Sequence, residues 1–280
     1  MKTDTFTIPE VINYQYRDIG KDLLIDKRHS HGNSYEIVQV LSGDGVFMID
    51  KHIFPLWEGC VYLVNGMDIH CSNPEHPADY IRNKIVLSAP FINGIARAAG
   101  FDPLVKALFN RPGRNLIRPG EAGFAAIDLQ MKQIASAVEE NETLFRLKLA
   151  SALLGIFSEL SSYEEQSLPP LEGKLSGILQ YIDSHLQEKI LLDEICAYTN
   201  LNKYYLCHLF KETTSMTLSD YILQKRLSLA KQKLLYTDQS ISEIALSCGF
   251  GSFSYFSALF KKNETISPGA FRRCNGGNKI

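Results

Sequence analysis

Part of this chain occurs twice, and that repetition limits the fold more than any other feature. Tyr205, Leu209, Phe210 and Lys211 return fifty residues later as Tyr255, Leu259, Phe260 and Lys261, and Glu194-Ile195 returns at an offset of 49 as Glu243-Ile244. Each copy, LLDEICAYTNLNKYYLCHLFK and ISEIALSCGFGSFSYFSALFK, reads as helix, short turn, helix. The one-residue slip falls at the turn, where an insertion is absorbed most easily. The second copy opens with Ser240-x-x-Glu243, a capping box in which hydroxyl and carboxylate each satisfy a free backbone N–H. The first copy has no Ser or Thr in that place. Between the copies, Leu223, Leu227, Ala230 and Leu234 stripe a helix of about 18 residues, ~27 Å long.

Two short helices joined by a tight turn let the second lie in a DNA major groove while the first braces it. Two such units on a ~27 Å helix would set their reading helices about one DNA turn, ~34 Å, apart. The alternative is a helical repeat that binds protein, for which two copies are too few. The charge agrees weakly with a polyanionic partner. From residue 171 onward there are 13 Lys and Arg against 10 Asp and Glu, whereas the preceding part carries 16 against 21.

ISEIALSCGFGSFSYFSALFKKNETISPGAFR (241–272) resembles the signature of the AraC/XylS family of bacterial transcription regulators. The resemblance is carried by Ile244-Ala245, Gly249-Phe250, Tyr255-Phe256, Phe260-Lys261, Pro268 and Phe271-Arg272. LNKYYLCHLFKETTSMTLSDYILQKRLSLAKQKLL (201–235), with Arg226 and Ala230, is similar to the family's first repeat. The resemblance implies that the first reading helix offers Lys203, Tyr204, Cys207 and His208 to the groove. The second would offer Ser252, Phe253, Ser254, Ser257 and Ala258. Leu206, Leu209, Phe256 and Phe260 read as core. Neither reading face carries an arginine, the residue that discriminates guanine most strongly. Lys211, Lys261, Lys262, Arg272 and Arg273 read as phosphate contacts, which fix register without reading sequence. In the turns after the reading helices, Ser215 and Thr265 stand where the family usually has glycine. Each would carry strain of about 1 kcal/mol if its φ is positive.

Residues 1–90 read as strands. YEIVQVL (35–41), VFMI (46–49), CVYLV (60–64) and YIRNKIVL (80–87) are rich in β-branched and aromatic residues, and Ser42-Gly43-Asp44-Gly45 is a hairpin signal. His29-x-His31, Glu36 and Gly43 have the spacing of the first cupin motif. Gly59 and His70 partly match the second, which is departed from at Asn65 and Met67, where proline and glycine are expected. In metal-binding cupins three His and one Glu converge inside a small barrel, and that donor set suits Fe, Mn, Ni or Zn. His29, His31, Glu36 and His70 are therefore candidate metal ligands, and a metal-dependent cupin enzyme fused to a DNA-binding module is the alternative reading. The regulator resemblance implies instead a metal-free sensor that needs no cofactor. Its effector, a small molecule such as a sugar, would meet His31, Glu36, Trp57, Tyr62 and His70. Trp57 reads somewhat better as a barrel-core residue, and Tyr62 stays open between core and pocket.

Residues 91–160 change to a helical period, and Leu144, Leu147, Ser151, Leu154 and Phe157 are expected on one face. That face either covers the barrel or, as the resemblance implies, pairs with its twin in a homodimer through helix 141–160. SSYEEQSLPPLEG (161–173) reads as a linker because paired prolines stop a helix. The expected organisation is therefore an α+β chain of two domains. A cupin-like β-barrel with accessory helices, for effector binding and dimerisation, occupies 1–160. A linker spans 161–173, and an all-α domain of two helix-turn-helix units joined by a linker helix occupies 174–280. None of the six cysteines falls in a C-x-x-C pair, and Asp4 and Glu10 interrupt any apolar signal core. No uncharged apolar stretch approaches the roughly 20 residues of a membrane helix. The expectation is a cytoplasmic activator, not an enzyme, whose partners are double-stranded DNA, the effector and RNA polymerase, with no membrane.

Overall fold

The computed structural model describes residues 10–19, 33–137, 142–163 and 167–275. The chain forms two compact units, 1–171 and 172–280. The first contains β1 (Val11–Ile19), β2 (Ser34–Ser42), β3 (Gly45–Ile49), β4 (His52–Leu56), β5 (Val61–Asn65), β6 (His70–Pro74), β7 (Ile81–Ser88), α1 (Ala89–Ala99), α2 (Asp102–Phe109), β8 (Leu116–Ile117), α3 (Glu121–Ala137) and α4 (Glu142–Ser161). The strands form two antiparallel sheets, one in the order β1-β7-β2-β5-β8 and one in the order β4-β3-β6.

Because side chains alternate along a strand, β2 sends two sets of residues to opposite sides. Val38 and Val40 join Phe47, Ile49, Phe54, Tyr62, Val64 and Tyr80 in a core between the two sheets. Tyr35 and Ile37 join Leu63, Ile85 and Leu87 in a second core against the helices. Residues 34–40 of β2 are all buried, on both faces, with Glu36 and Gln39 set among the apolar side chains.

The expected hairpin at Ser42–Gly45 is not one. β2 pairs with β5 and β7, whereas β3 pairs with β4 and β6, so the chain changes sheets at this corner. The two glycines are there for close approach as well as for φ. A Cβ on Gly43 would lie 3.0 Å from the Tyr80 Cα, and one on Gly45 would lie 2.4 Å from the Asn73 carbonyl oxygen. Their φ values are 105° and 141°. A turn that reads locally as a hairpin is thereby used as a crossing between sheets.

Helix α4 also differs from its expected orientation. It packs with α3, and its Phe145, Leu149, Ala152, Leu153, Ile156, Phe157 and Leu160 are buried in the helix-side core, where Phe157 meets Phe101 and Phe109. Leu147 and Leu154 are 64% and 44% exposed, and Ser151 between them is exposed. Phe157 thus belongs to the buried face and not with Leu147. Both sides of α4 carry leucines, so periodicity alone could not tell which one meets the sheet. Beyond α4, the Leu168 N–H donates to the Leu116 carbonyl (2.9 Å) and the Leu171 N–H to that of Ile53 (2.6 Å), which ties this segment to the strands.

The second unit is helical: α5 (Lys174–Ser184), α6 (Leu192–Thr199), α7 (Lys203–Thr214), α8 (Leu218–Tyr236), α9 (Ile241–Ser247), α10 (Phe253–Glu264) and α11 (Pro268–Asn275). The two copies are α6-turn-α7 and α9-turn-α10, and α8 joins them. The 19 residues of α8 bury Tyr221, Leu227, Ala230, Leu234 and Leu235. Its lysines also point inward: Lys225 pairs with Asp183 at 3.1 Å and Lys231 with Glu264 at 3.0 Å. All six cysteines are free thiols, and no helix among the described residues is long and apolar enough to cross a membrane.

Candidate nucleic-acid interface and barrel interior

Each reading helix begins with a polar cap. Asn202 accepts from the Tyr205 N–H at 2.9 Å, and Ser252, its counterpart in the other copy, accepts from the Tyr255 N–H at 3.2 Å. One turn on, Leu206 and Phe210 in α7, and Phe256 and Phe260 in α10, are fully buried. These anchors fix which side of each helix is free. On α7 the free side presents Lys203, Tyr204, Cys207, His208 and Lys211, all exposed, with Tyr204 at 80%. On α10 it presents Ser252, Phe253, Ser254, Ala258 and Lys261, with Phe253 at 46% and Ser257 half-buried. The eleven residues expected to face the groove therefore lie on the outward faces of two capped helices. Ser252 has its oxygen occupied by the cap.

The two faces differ in charge. Lys203 Nζ lies 2.7 Å from Asp193 of α6, and that hydrogen bond and charge raise the pKa of Lys203. His208 Nδ1 meets Glu212 one turn along at 3.0 Å. Over its first two turns α10 has no charged side chain at all. Its cations, Lys261 and Lys262, come in the last turn. Arg272, which reads from sequence as a phosphate contact, has another role here. Its guanidinium donates to the carbonyls of Leu234 (3.3 Å) and Gln239 (2.7 Å). Arg226 does the same in the first copy, donating to Leu186 (2.9 Å) and Glu188 (2.5 Å). These arginines satisfy free carbonyls of the preceding segment, so they belong to the frame. Neither was legible as such from local pattern, because each clamps a carbonyl more than thirty residues away.

In the barrel, Glu36 and His70 meet. Sheet pairing places Glu36 opposite Val86 on one sheet and His70 opposite Ile49 on the other, and His70 Nε2 lies 3.0 Å from Glu36 Oε2. The second ring nitrogen lies 2.8 Å from the Asp68 carbonyl. Oxygens face both ring nitrogens, and with Glu36 ionised this arrangement favours the cationic imidazole. Burial opposes that charge, but the attraction and hydrogen bond of Glu36, aided by the Asp68 carbonyl, hold the His70 pKa above the ordinary imidazole range. Among the described residues no cluster of three or more His, Cys, Asp or Glu is arranged to hold a metal ion. His29 and His31 lie outside the described residues.

The remaining expected effector residues are spread out. Tyr62 is fully buried, stacked on Phe47 at 4.4 Å, and its hydroxyl donates to the Pro55 carbonyl. Trp57 is 42% exposed, just after β4, with the Arg118 guanidinium 5.8 Å from its ring centroid. Its neighbour Leu56 pairs with Gly45 at one end of β3, whereas His70 pairs with Ile49 at the other. Four residues of strand separate those ends by ~13 Å. Trp57 and the Glu36–His70 pair therefore mark opposite ends of the interior. Sequence reasoning missed the cations of β7: Arg82 and Lys84 are both buried, and Arg82 reaches Ser72, Gln15 and Asp18 at 3.5, 3.3 and 3.6 Å. Basic residues in a strand usually read as its solvent side. Here only their even spacing with Tyr80 points inward.

Residues 22–157 match the family described as an AraC-like ligand binding domain, and residues 195–274 match a helix-turn-helix domain family. Two curated relatives align over most of the chain. The HTH-type transcriptional activator RhaS of Yersinia pseudotuberculosis is 26% identical over 249 residues, covering 85% of this chain and 86% of the relative. The HTH-type transcriptional activator RhaR of Klebsiella pneumoniae is 24% identical over 253 residues, covering 88% and 86%. Among solved structures, a transcriptional regulator with an AraC-type DNA-binding domain from Chromobacterium violaceum is 30% identical. It covers 38% of this chain and 94% of its own length, with a TM-score of 0.36.

Proposed function

The chain belongs to the AraC family of DNA-binding transcription activators, and on that premise we propose that α7 and α10 read two stretches of one operator while the barrel unit senses a small polar effector such as a sugar. The observation that carries this reading is the pair of capped helices whose buried anchors turn Lys203, Tyr204, Cys207, His208 and Lys211 outward in one copy. The same frame turns Ser252, Phe253, Ser254, Ser257, Ala258 and Lys261 outward in the other. The protein has no catalytic role in this reading and works in the cytoplasm, where DNA and RNA polymerase are its partners. Its sensor domain spans 1–160, followed by the segment 161–173 and the DNA-binding domain 174–280. Two copies of the chain associate through the free side of the helix at 141–160, where Leu147 and Leu154 flank Ser151. A two-fold dimer would match repeated operator half-sites. Of the effector residues, Glu36 and His70 stand together, Tyr62 supports the wall, Trp57 sits at the far end, and His31 remains a proposed contact. The effector acts by binding one arrangement of the protein better than another, since only that difference shifts a population.

The test is binding of the full chain to duplex DNA across a range of salt. Affinity should fall steeply as phosphate contacts release counterions. Lys261→Ala should weaken binding to every sequence alike and reduce the salt slope by about 1, whereas His208→Ala should change preference at one base pair by about 1–3 kcal/mol. Binding that ignores salt, or equal and uniform losses in both variants, would remove this assignment of roles.

A further inference from the structure

The outward surface of α10 over its first two turns consists of Ser252, Phe253, Ser254, Tyr255 and Ala258. None of these is an amide, a guanidinium or a carboxylate, the groups that form paired hydrogen bonds with base edges. Ser252 spends its oxygen on the cap, and the free hydroxyl of Ser254 bonds with equal ease to donors and acceptors. The apolar part of this surface is the ring of Phe253, 46% exposed on a helix whose core anchors face the other way, and the Ala258 methyl five residues on, with the exposed Tyr255 phenol between them. Phe253 and Tyr255 together leave two half-exposed rings at the start of a capped helix, the part of this unit assigned to the groove. Lys261 and Lys262 follow on the same helix and give that surface a positive border suited to a phosphate backbone.

A major-groove edge offers one apolar group, the C5 methyl of thymine. Building on the assignment of α10 to the groove, we propose that the second unit recognises its half-site by packing Phe253 and Ala258 against thymine methyl groups. The first unit, with His208, Lys203 and Tyr204, supplies the hydrogen-bonded readout. The two half-sites are accordingly unlike. The one under α10 is rich in A·T pairs and tolerant of exchanges that keep a methyl in place. The one under α7 is strict in its donors and acceptors. Phe253 is a specificity-determining residue that discriminates without a hydrogen bond.

The probe is a set of duplexes recovered by selection from a random pool on the full-length chain, then resynthesised with deoxyuridine at each thymine in turn, which removes the methyl and leaves base pairing intact. Within the half-site under α10, one or two substitutions should each weaken binding about fourfold, the equivalent of one buried methyl at ~0.8 kcal/mol. In Phe253→Ala the thymine and deoxyuridine duplexes should bind equally well. Phe253→Leu, which keeps an apolar side chain, should retain part of the difference. Phe253 lies outside the packed core, so neither variant should change the melting temperature. A deoxyuridine effect that is absent from this half-site, or that persists undiminished in Phe253→Ala, overturns the proposal. Lys261→Ala keeps the two levels separate. If its salt slope falls while deoxyuridine has no effect, α10 lies in the groove but does not read methyls. If its slope is unchanged as well, α10 is not at the DNA and the underlying assignment fails with it.

Discussion

The two helix-turn-helix copies share a frame and differ in nearly everything mounted on it. Both reading helices start on a polar cap, bury an aromatic at Phe210 or Phe260, and end in a left-handed residue, Ser215 at φ 55° or Thr265 at φ 64°. Both have an arginine clamp, Arg226 or Arg272, on the carbonyls of the preceding segment. Yet the first copy displays an ammonium and an imidazole, each beside a carboxylate, where the second displays a phenyl ring and a methyl. The turns diverge too: Asn200 takes the left-handed position in one and Gly249 in the other, both with positive φ. Residues that decide where a helix sits are thus held nearly constant, and residues that decide what it touches are free to change.

The sharpest attack on this comparison is to remove one anchor at a time. Phe210→Ala and Phe260→Ala should each lower stability by about 3–5 kcal/mol, because each leaves a cavity beside a ring it packs edge-on. Denaturant unfolding followed by circular dichroism would show this, and a marked inequality between the variants would mean that the frames are not equivalent. The turns should respond less, and unequally. A Cβ on Gly249 would lie 2.7 Å from the Leu186 carbonyl oxygen and 2.8 Å from Arg226 Nε, on top of an unfavourable φ of 80°. Gly249→Ala should therefore cost about 2–3 kcal/mol. Asn200→Gly should shift stability by no more than about 0.5 kcal/mol, since asparagine already tolerates this conformation. Equal responses would show that the second turn is not wedged against the arginine clamp. The smallest effects belong to the helix ends. Ser215→Gly and Thr265→Gly should stabilise the protein by up to about 1 kcal/mol, more at the β-branched threonine, with sequence preference on DNA unchanged. A calorimetric melt that falls in either variant would put the left-handed strain elsewhere.

Much of the helical unit was legible because its constraints are local. A capping box at Ser240, alternation of buried and free positions along α7 and α10, and a repeat that doubles every signal all lie within a few residues of one another. The strained ends at Ser215 and Thr265 were legible only through the family resemblance, which expects glycine where these residues take φ 55° and 64°. The arginine clamps were not, because nothing near Arg272 in the chain announces the carbonyls of Leu234 and Gln239. In the barrel the balance reverses. β2, β3, β5 and β7 could be read as strands from their composition, but β6, HCSNP, has almost no strand-forming residues. It becomes a strand only because β3 pairs with it.

Sequence alone determined the two-part organisation, the duplicated frame, the outward faces of the reading helices and the presence of a strand-rich unit before them. The outward faces follow from the family resemblance, and the rest from periodicities, composition and caps that act over short stretches of chain. Tertiary structure alone decided that Gly43 and Gly45 carry the chain between sheets, and that α4 buries Phe145 and Leu149 while leaving Leu147 and Leu154 free. It also decided that Arg82 and Lys84 point inward, and that Glu36 and His70 form a buried ion pair with Trp57 at the opposite end. The physical reason is common to all of these. Each depends on which surface another segment covers, and a side chain that can be buried or exposed without changing its own backbone leaves no trace of that choice in the local pattern.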